Sequence, residues 1–168
     1  MRVLGIDPGT LNLGYGVVDE EGRGITMVDC GVIKMSSKVP IEQRLCSLHK
    51  KLLEIITFHE PEELAIEEPF VSKNARSALA IGRAQAIAML AGADKGIPVF
   101  RYLPTQVKQQ VTNYGGSSKE QVQEMVKIQL GLSQIPGSSD VADALAVALC
   151  HLQQRHLDHL LIENRGDL

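Results

Sequence analysis

Residues 3–19 read VLGIDPGTLNLGYGVVD, and the folding of this stretch decides how the rest of the chain is arranged. Val3 to Ile6 is a short apolar run that Pro8-Gly9 must end, because proline cannot donate to a strand ladder and Pro-Gly is turn chemistry. Leu13 to Asp19 is a second extended run, closed by Glu20-Glu21-Gly22. Ile25 to Met35 is a third, with β-branched residues spaced through it. Three such runs joined by short turns predict an antiparallel meander.

Downstream the period changes. Ile41, Leu45, Leu48, Leu52, Ile55 and Ile56 recur at three- and four-residue intervals with charged residues between them, which predicts an amphipathic helix stopped by Glu60-Pro61. Leu64 to Glu67 is a short strand that breaks at Pro69, residues 74–91 an Ala-rich helix, and Val99 to Leu103 a fifth strand. Three helical stretches finish the chain, about Thr105 to Thr112, Lys119 to Leu130 and Asp140 to His159. The order βββ-α-β-α-β-α-α-α predicts an α/β fold, a five-stranded mixed sheet with helices on both faces. Right-handed crossover places the fourth strand beside the first. Residues 1–160 are expected to form a single domain, and residues 161–168 a frayed tail.

At 168 residues, 44% hydrophobic and 22% charged, the chain has the bulk for a real core. Cys30, Cys46 and Cys150 are odd in number and lack CxxC spacing, which argues against a disulfide framework or zinc. Each is expected to pack as a small apolar side chain. The opening residues place an acid and Pro-Gly where a signal peptide needs apolar residues, and no run reaches membrane length, so a soluble cytoplasmic protein is expected. Net charge is −3 but unevenly spread: residues 71–127 carry eight Lys/Arg against three acids, while both flanks are acidic. A basic middle between acidic ends can present a phosphate-binding face beside a metal-loading centre.

Asp7 ends the first strand before Pro8, and Glu67 or its neighbour Glu68 ends the fourth before Pro69. If those strands are adjacent and parallel, their carboxyl ends coincide where open α/β sheets place ligands. Asp140 and Asp143, at i and i+3, share one face of a helix's first turn. Each acid alone has an ordinary explanation, as a turn or helix cap. Together they form a set of hard oxygen donors suited to Mg²⁺ or Mn²⁺. Two such ions roughly 4 Å apart would clamp a phosphodiester.

GIDPGT around Asp7, AIEEPF around Glu67 and SDVADALAVA around Asp140 and Asp143 resemble the motifs of the RuvC Holliday-junction resolvases, of the ribonuclease-H-like superfamily. KNARSALAIGRAQ (73–85), PTQVKQQV (104–111) and SKEQVQEMV (118–126) extend the likeness from Met1 to about Leu152. The resemblance implies a ribonuclease-H-like fold and a homodimer that recognises the four-way DNA junction by shape. It implies symmetric nicks in two opposed strands, leaving 5′-phosphate and 3′-hydroxyl ends, with two Mg²⁺ per site and Mn²⁺ as a substitute. The RuvA and RuvB branch-migration complex is the implied partner. Glu67 matches the family's catalytic glutamate, and Glu68 a position that is not a ligand. Some family members carry histidine where this chain has Asp140.

Lys108 and Lys119 match basic residues near the family's scissile strand, where a lysine would neutralise developing charge. Phe70 matches a position suited to stacking on a base at an opened junction. Lys73, Arg76 and Arg83 would then be phosphate contacts that position the DNA without reading it. The small residues of helix 74–91 on more than one face are consistent with a two-fold dimer contact. His151, His156 and His159 lack the i, i+4 pairing of a helical zinc site and read as surface residues. Three rivals remain: an actin-like kinase or ATPase, whose second lobe this length cannot supply; a resolvase-like RNA-processing nuclease, which also begins GIDPGT; and a junction binder without catalysis, against which the intact acid quartet speaks.

Overall fold

A computed structural model describes residues 1–22, 24–68, 75–135 and 137–163, with the side chains of 162 and 163 left aside. Five strands and five helices follow in the expected order: β1 (Arg2–Asp7), β2 (Asn12–Glu21), β3 (Gly24–Lys34), α1 (Ile41–His59), β4 (Glu63–Glu67), α2 (Ala75–Asp94), β5 (Val99–Tyr102), α3 (Pro104–Thr112), α4 (Lys119–Gln129) and α5 (Ser139–Glu163). The sheet order is β3-β2-β1-β4-β5. The meander is antiparallel, and β1 pairs with β4 in parallel, as does β4 with β5. The crossover through α1 therefore does set the fourth strand against the first.

Strand alternation splits the core in two. Leu4, Ile6, Leu13, Val17, Leu64 and Ile66 face α1 and α2, where Leu48, Leu52, Ile56, Ala88 and Ala91 complete one buried cluster. Val3, Val18 and Ala65 face the other way, towards α5 with α3 and α4 outside it. α1 ends as its pattern requires: Glu60 takes a left-handed conformation (φ 48°) and donates its N–H to Ile56 O at 2.9 Å.

α5 is the central helix of the second layer. Every residue from Ala144 to Leu152 is buried, because the sheet covers one side and α3 and α4 the other. It lies directly on the sheet because β1 and β2 present glycine beneath it. A Cβ at Gly5 would stand 2.2 Å from Ala144 O, and one at Gly14 2.1 Å from Asp140 O, separations no real side chain tolerates.

Three expectations are corrected. α5 continues to Glu163, past His159 and into the stretch read as a frayed tail. Cys46 is exposed on α1, whereas Cys150 is buried and Cys30 half-buried, so only two of the three pack inward. His151 is not a surface residue: it is fully buried. Its Nδ1 accepts from the Tyr102 hydroxyl at 2.7 Å, and its Nε2 faces a carboxylate oxygen of Glu63. Arg155 Nη2 holds the other Glu63 oxygen at 3.2 Å. Burial drives the His151 pKa down, against the pull of Glu63. The ring is therefore neutral, donating from Nε2 and accepting at Nδ1, so each of its polar atoms is satisfied. This chain of bonds ties β4, β5 and α5 together.

Candidate active site

The register of the parallel pair fixes where the first two acids lie. Ile6 is paired with Ile66, so Asp7 and Glu67 are the next positions along neighbouring strands, at the carboxyl edge of the sheet. By alternation both point to the α5 side, as Gly5 and Ala65 do. Glu68 lies past the strand end: its N–H bonds to Tyr102 O at 2.8 Å and its carboxylate pairs with Arg101 at 3.4 Å. Of the two glutamates that spacing alone leaves open, Glu67 is thus the one on the α5 side with Asp7, while Glu68 pairs with Arg101.

The other two acids descend onto this edge from α5. Gly14 is the antiparallel partner of Asp7, and the backbone of Asp140 rests against it. Asp140 is held by the Ser138 hydroxyl, which donates to its Oδ2 at 3.1 Å. Asp143 follows one turn later on the same face and receives Lys119 Nζ at 2.6 Å. Lys119 is in turn fixed by the start of α4. Ser118 Oγ accepts from Gln121 N–H at 3.3 Å while Gln121 Oε1 accepts from Ser118 N–H at 2.8 Å, a reciprocal helix cap. Lys108 and Lys119 line a cleft of about 200 Å³ together with Glu67, Asp143, Pro104 and Val107.

The four carboxylates share one electrostatic field. Asp7 is pushed up to about 7, by burial first and then by Glu67, Asp143 and Asp140. Glu67 is also pushed up to about 7, again by burial and then by Asp143, with Lys119 and Lys108 opposing. Acids that resist ionisation because they are withdrawn from water, and then because their neighbours are acids, form a site that lacks positive charge. Four oxygen donors and no sulfur match a hard divalent cation, so the donor set fits. Among the described residues no three acidic, histidine or cysteine side chains already stand close enough to hold one ion. Asp143 is engaged by Lys119 instead.

Not every expected residue is gathered here. Arg76 and Arg83 are exposed on α2, in the layer on the other side of the sheet, and neither lines the cleft. Phe70 and Lys73 lie outside the described residues. Sequence reasoning missed Gly14, Ser118 with Gln121, and the Glu63–His151–Tyr102 chain. A signal existed for the last: His151 is the one polar residue in the otherwise apolar run Val147 to Leu152.

A mixed sheet in this order, with helices on both faces and acids where β1 meets β4 beneath α5, defines a ribonuclease-H-like nuclease fold. Residues 3–151 match the family described as crossover junction endodeoxyribonuclease RuvC. The chain is 47% identical to the protein of that name from Dehalococcoides mccartyi over 168 residues, covering 100% of this chain and 99% of the relative. It is 49% identical to the one from Pelotomaculum thermopropionicum over 151 residues, 90% of this chain and 92% of the relative. The solved structure of Thermus thermophilus RuvC in complex with Holliday junction substrate superposes with a TM-score of 0.89 at 37% identity, covering 94% of this chain and 96% of that one. The chain belongs to the RuvC family.

Proposed function

We propose that this chain is a structure-selective endonuclease that resolves four-way DNA junctions by nicking two opposed strands, leaving 5′-phosphate and 3′-hydroxyl ends. The observation that carries the reading is the convergence of Asp7, Glu67, Asp140 and Asp143 on one sheet edge, beside a cleft lined by two lysines, in a member of this family. The four carboxylates would hold two Mg²⁺, or Mn²⁺ in their place. Divalent ions held by these residues would supply activation of a water and stabilisation of the departing 3′-oxygen. Lys108 and Lys119 place ammonium groups against the phosphate, adding fixed positive charge where negative charge develops. Phe70 stacks on a base at the opened junction, and Lys73, Arg76 and Arg83 anchor phosphates farther from the cut.

Symmetric cleavage needs two copies. α2 supports this: it buries Ala84, Ala88 and Ala91 against the core and turns Leu79, Ala86, Met89 and Leu90 outwards. Small and apolar residues on an outward helix face suit a two-fold contact. The RuvA and RuvB branch-migration complex would be its partner, as membership of the family implies, and the cytoplasm its setting; no helix among the described residues is long and apolar enough to cross a membrane.

The test compares a synthetic four-way junction with a linear duplex and a single strand, first with Mg²⁺ and then with EDTA. The expected result is paired, symmetric nicking of the junction alone, stopped by EDTA. Cleavage of the linear duplex at the same rate, or nicking that survives EDTA, would overturn the reading.

A further inference from the structure

Lys119 is the first residue of α4, and the reciprocal cap between Ser118 and Gln121 fixes where it starts. Its ammonium lies 2.6 Å from Asp143 Oδ2 and also feels Asp7 and Asp140. An ammonium is a compact point charge with three donors. At that distance it engages Asp143 Oδ2, an oxygen that bidentate or Oδ2 coordination by Asp143 would use. The pair is partly open to water, with 49% of the Lys119 side chain and 24% of Asp143 exposed, so it is weak enough to exchange. Lys108 lines the same cleft, yet among the described residues no carboxylate lies within ion-pair distance of it.

We propose that Lys119 is the resident counter-cation of this centre: it competes with a divalent ion for Asp143, holding Oδ2 until the ion displaces it, which holds down metal affinity in the free protein. The inference rests on the metal-centre reading above. A phosphate entering the cleft gives the ammonium another partner, so DNA binding and metal loading favour one another through this one side chain. Linkage makes the coupling reciprocal.

Mn²⁺ titrations of the full-length protein without DNA, followed by electron paramagnetic resonance, test the first half. Lys119→Met should bind Mn²⁺ about three- to tenfold more tightly than wild type, the range expected for loss of one partly exposed competing charge. Lys119→Arg, which keeps the charge, should stay within about twofold of wild type. Lys108→Met controls for a general change of field and should tighten binding less than Lys119→Met. Thermal melts establish that each variant is folded. Unchanged or weaker binding by Lys119→Met, or equal tightening by Lys108→Met, overturns the proposal. No saturable Mn²⁺ binding in any of the proteins overturns the metal-centre reading itself. For the second half, Ca²⁺ should tighten junction binding, read by fluorescence anisotropy, by a larger factor in wild type than in Lys119→Met; equal factors overturn the coupling.

Discussion

Asp7→Asn is expected to lower junction cleavage by more than about a thousandfold while making the metal-free protein more stable at neutral pH. The first effect follows from place: Asp7 is the central acid of the site, flanked by Glu67 on β4 and met from above by α5. A neutral amide is a poor ligand for a hard cation. The second follows from charge. An unfolded Asp ionises near 3.8, whereas in the fold Asp7 holds its proton up to about 7, because it is buried and then because Glu67, Asp143 and Asp140 repel its charge. Between those values the unfolded chain has lost a proton that the native chain keeps, so wild-type stability falls as pH rises through the window. Asn never titrates. Its advantage is therefore absent below pH about 4 and complete above about 7, where the coupling to Glu67 keeps it near 1–3 kcal/mol. Chemical denaturation in EDTA across that pH range reads it directly. Mg²⁺ should raise the melting temperature of wild type more than that of the variant. Measurable Mg²⁺-dependent nicking by Asp7→Asn, or a loss of stability at pH 8 in EDTA, would sink the argument.

His151→Ala should cost about 3–5 kcal/mol, a large share of what a domain of this size has. The imidazole is fully buried and satisfies two groups at once, the Glu63 carboxylate and the Tyr102 hydroxyl. Its removal leaves a cavity, an unpartnered hydroxyl and a carboxylate held only by Arg155. Tyr102→Phe, which removes one hydrogen bond and leaves no cavity, should cost only about 1–2 kcal/mol. The site would suffer with the fold, because Tyr102 is the register partner of Glu67. Wild type should also lose stability as pH falls below the ordinary histidine value of 6.5. There the unfolded ring takes up a proton that burial denies the native one. Urea unfolding that places His151→Ala within about 1 kcal/mol of wild type would refute this role for the network.

Much of the fold could be read from local chemistry. Pro8, Pro69 and Gly22 mark strand ends that the structure keeps within a residue or two, and the change from alternating to 3.6-residue periodicity separates sheet from helix. Asp7 was legible for the same reason, since it precedes the proline that ends its strand; at the fourth strand that reasoning leaves Glu67 and Glu68 open, and only the family resemblance points to Glu67. Cys46 could have been placed as well, because it lies off the stripe made by Ile41, Leu45, Leu48 and Leu52. What stayed hidden depended on partners distant in sequence. α5 has no single apolar stripe, since both the sheet and α3 with α4 bury it, and a histidine inside it looks like any other histidine until both sides are known. The lysine on Asp143 comes from a helix 24 positions away. Ser118 and Gln121 do carry a capping signature, but its importance lies in what the following residue reaches.

Gly14 gives no ligand, no proton and no charge, yet the distance between the acids of the sheet and those of the helix is set there. The site joins sheet to helix, and the gap between them is a mechanical clearance, machined beside Asp140 by one missing carbon as it is by another at Gly5 beneath Ala144. Any side chain at that point acts as a shim under α5, lifting Asp140 and Asp143 together from Asp7 and Glu67. Sensitivity to substitution in this molecule thus extends to positions whose whole contribution is to be empty.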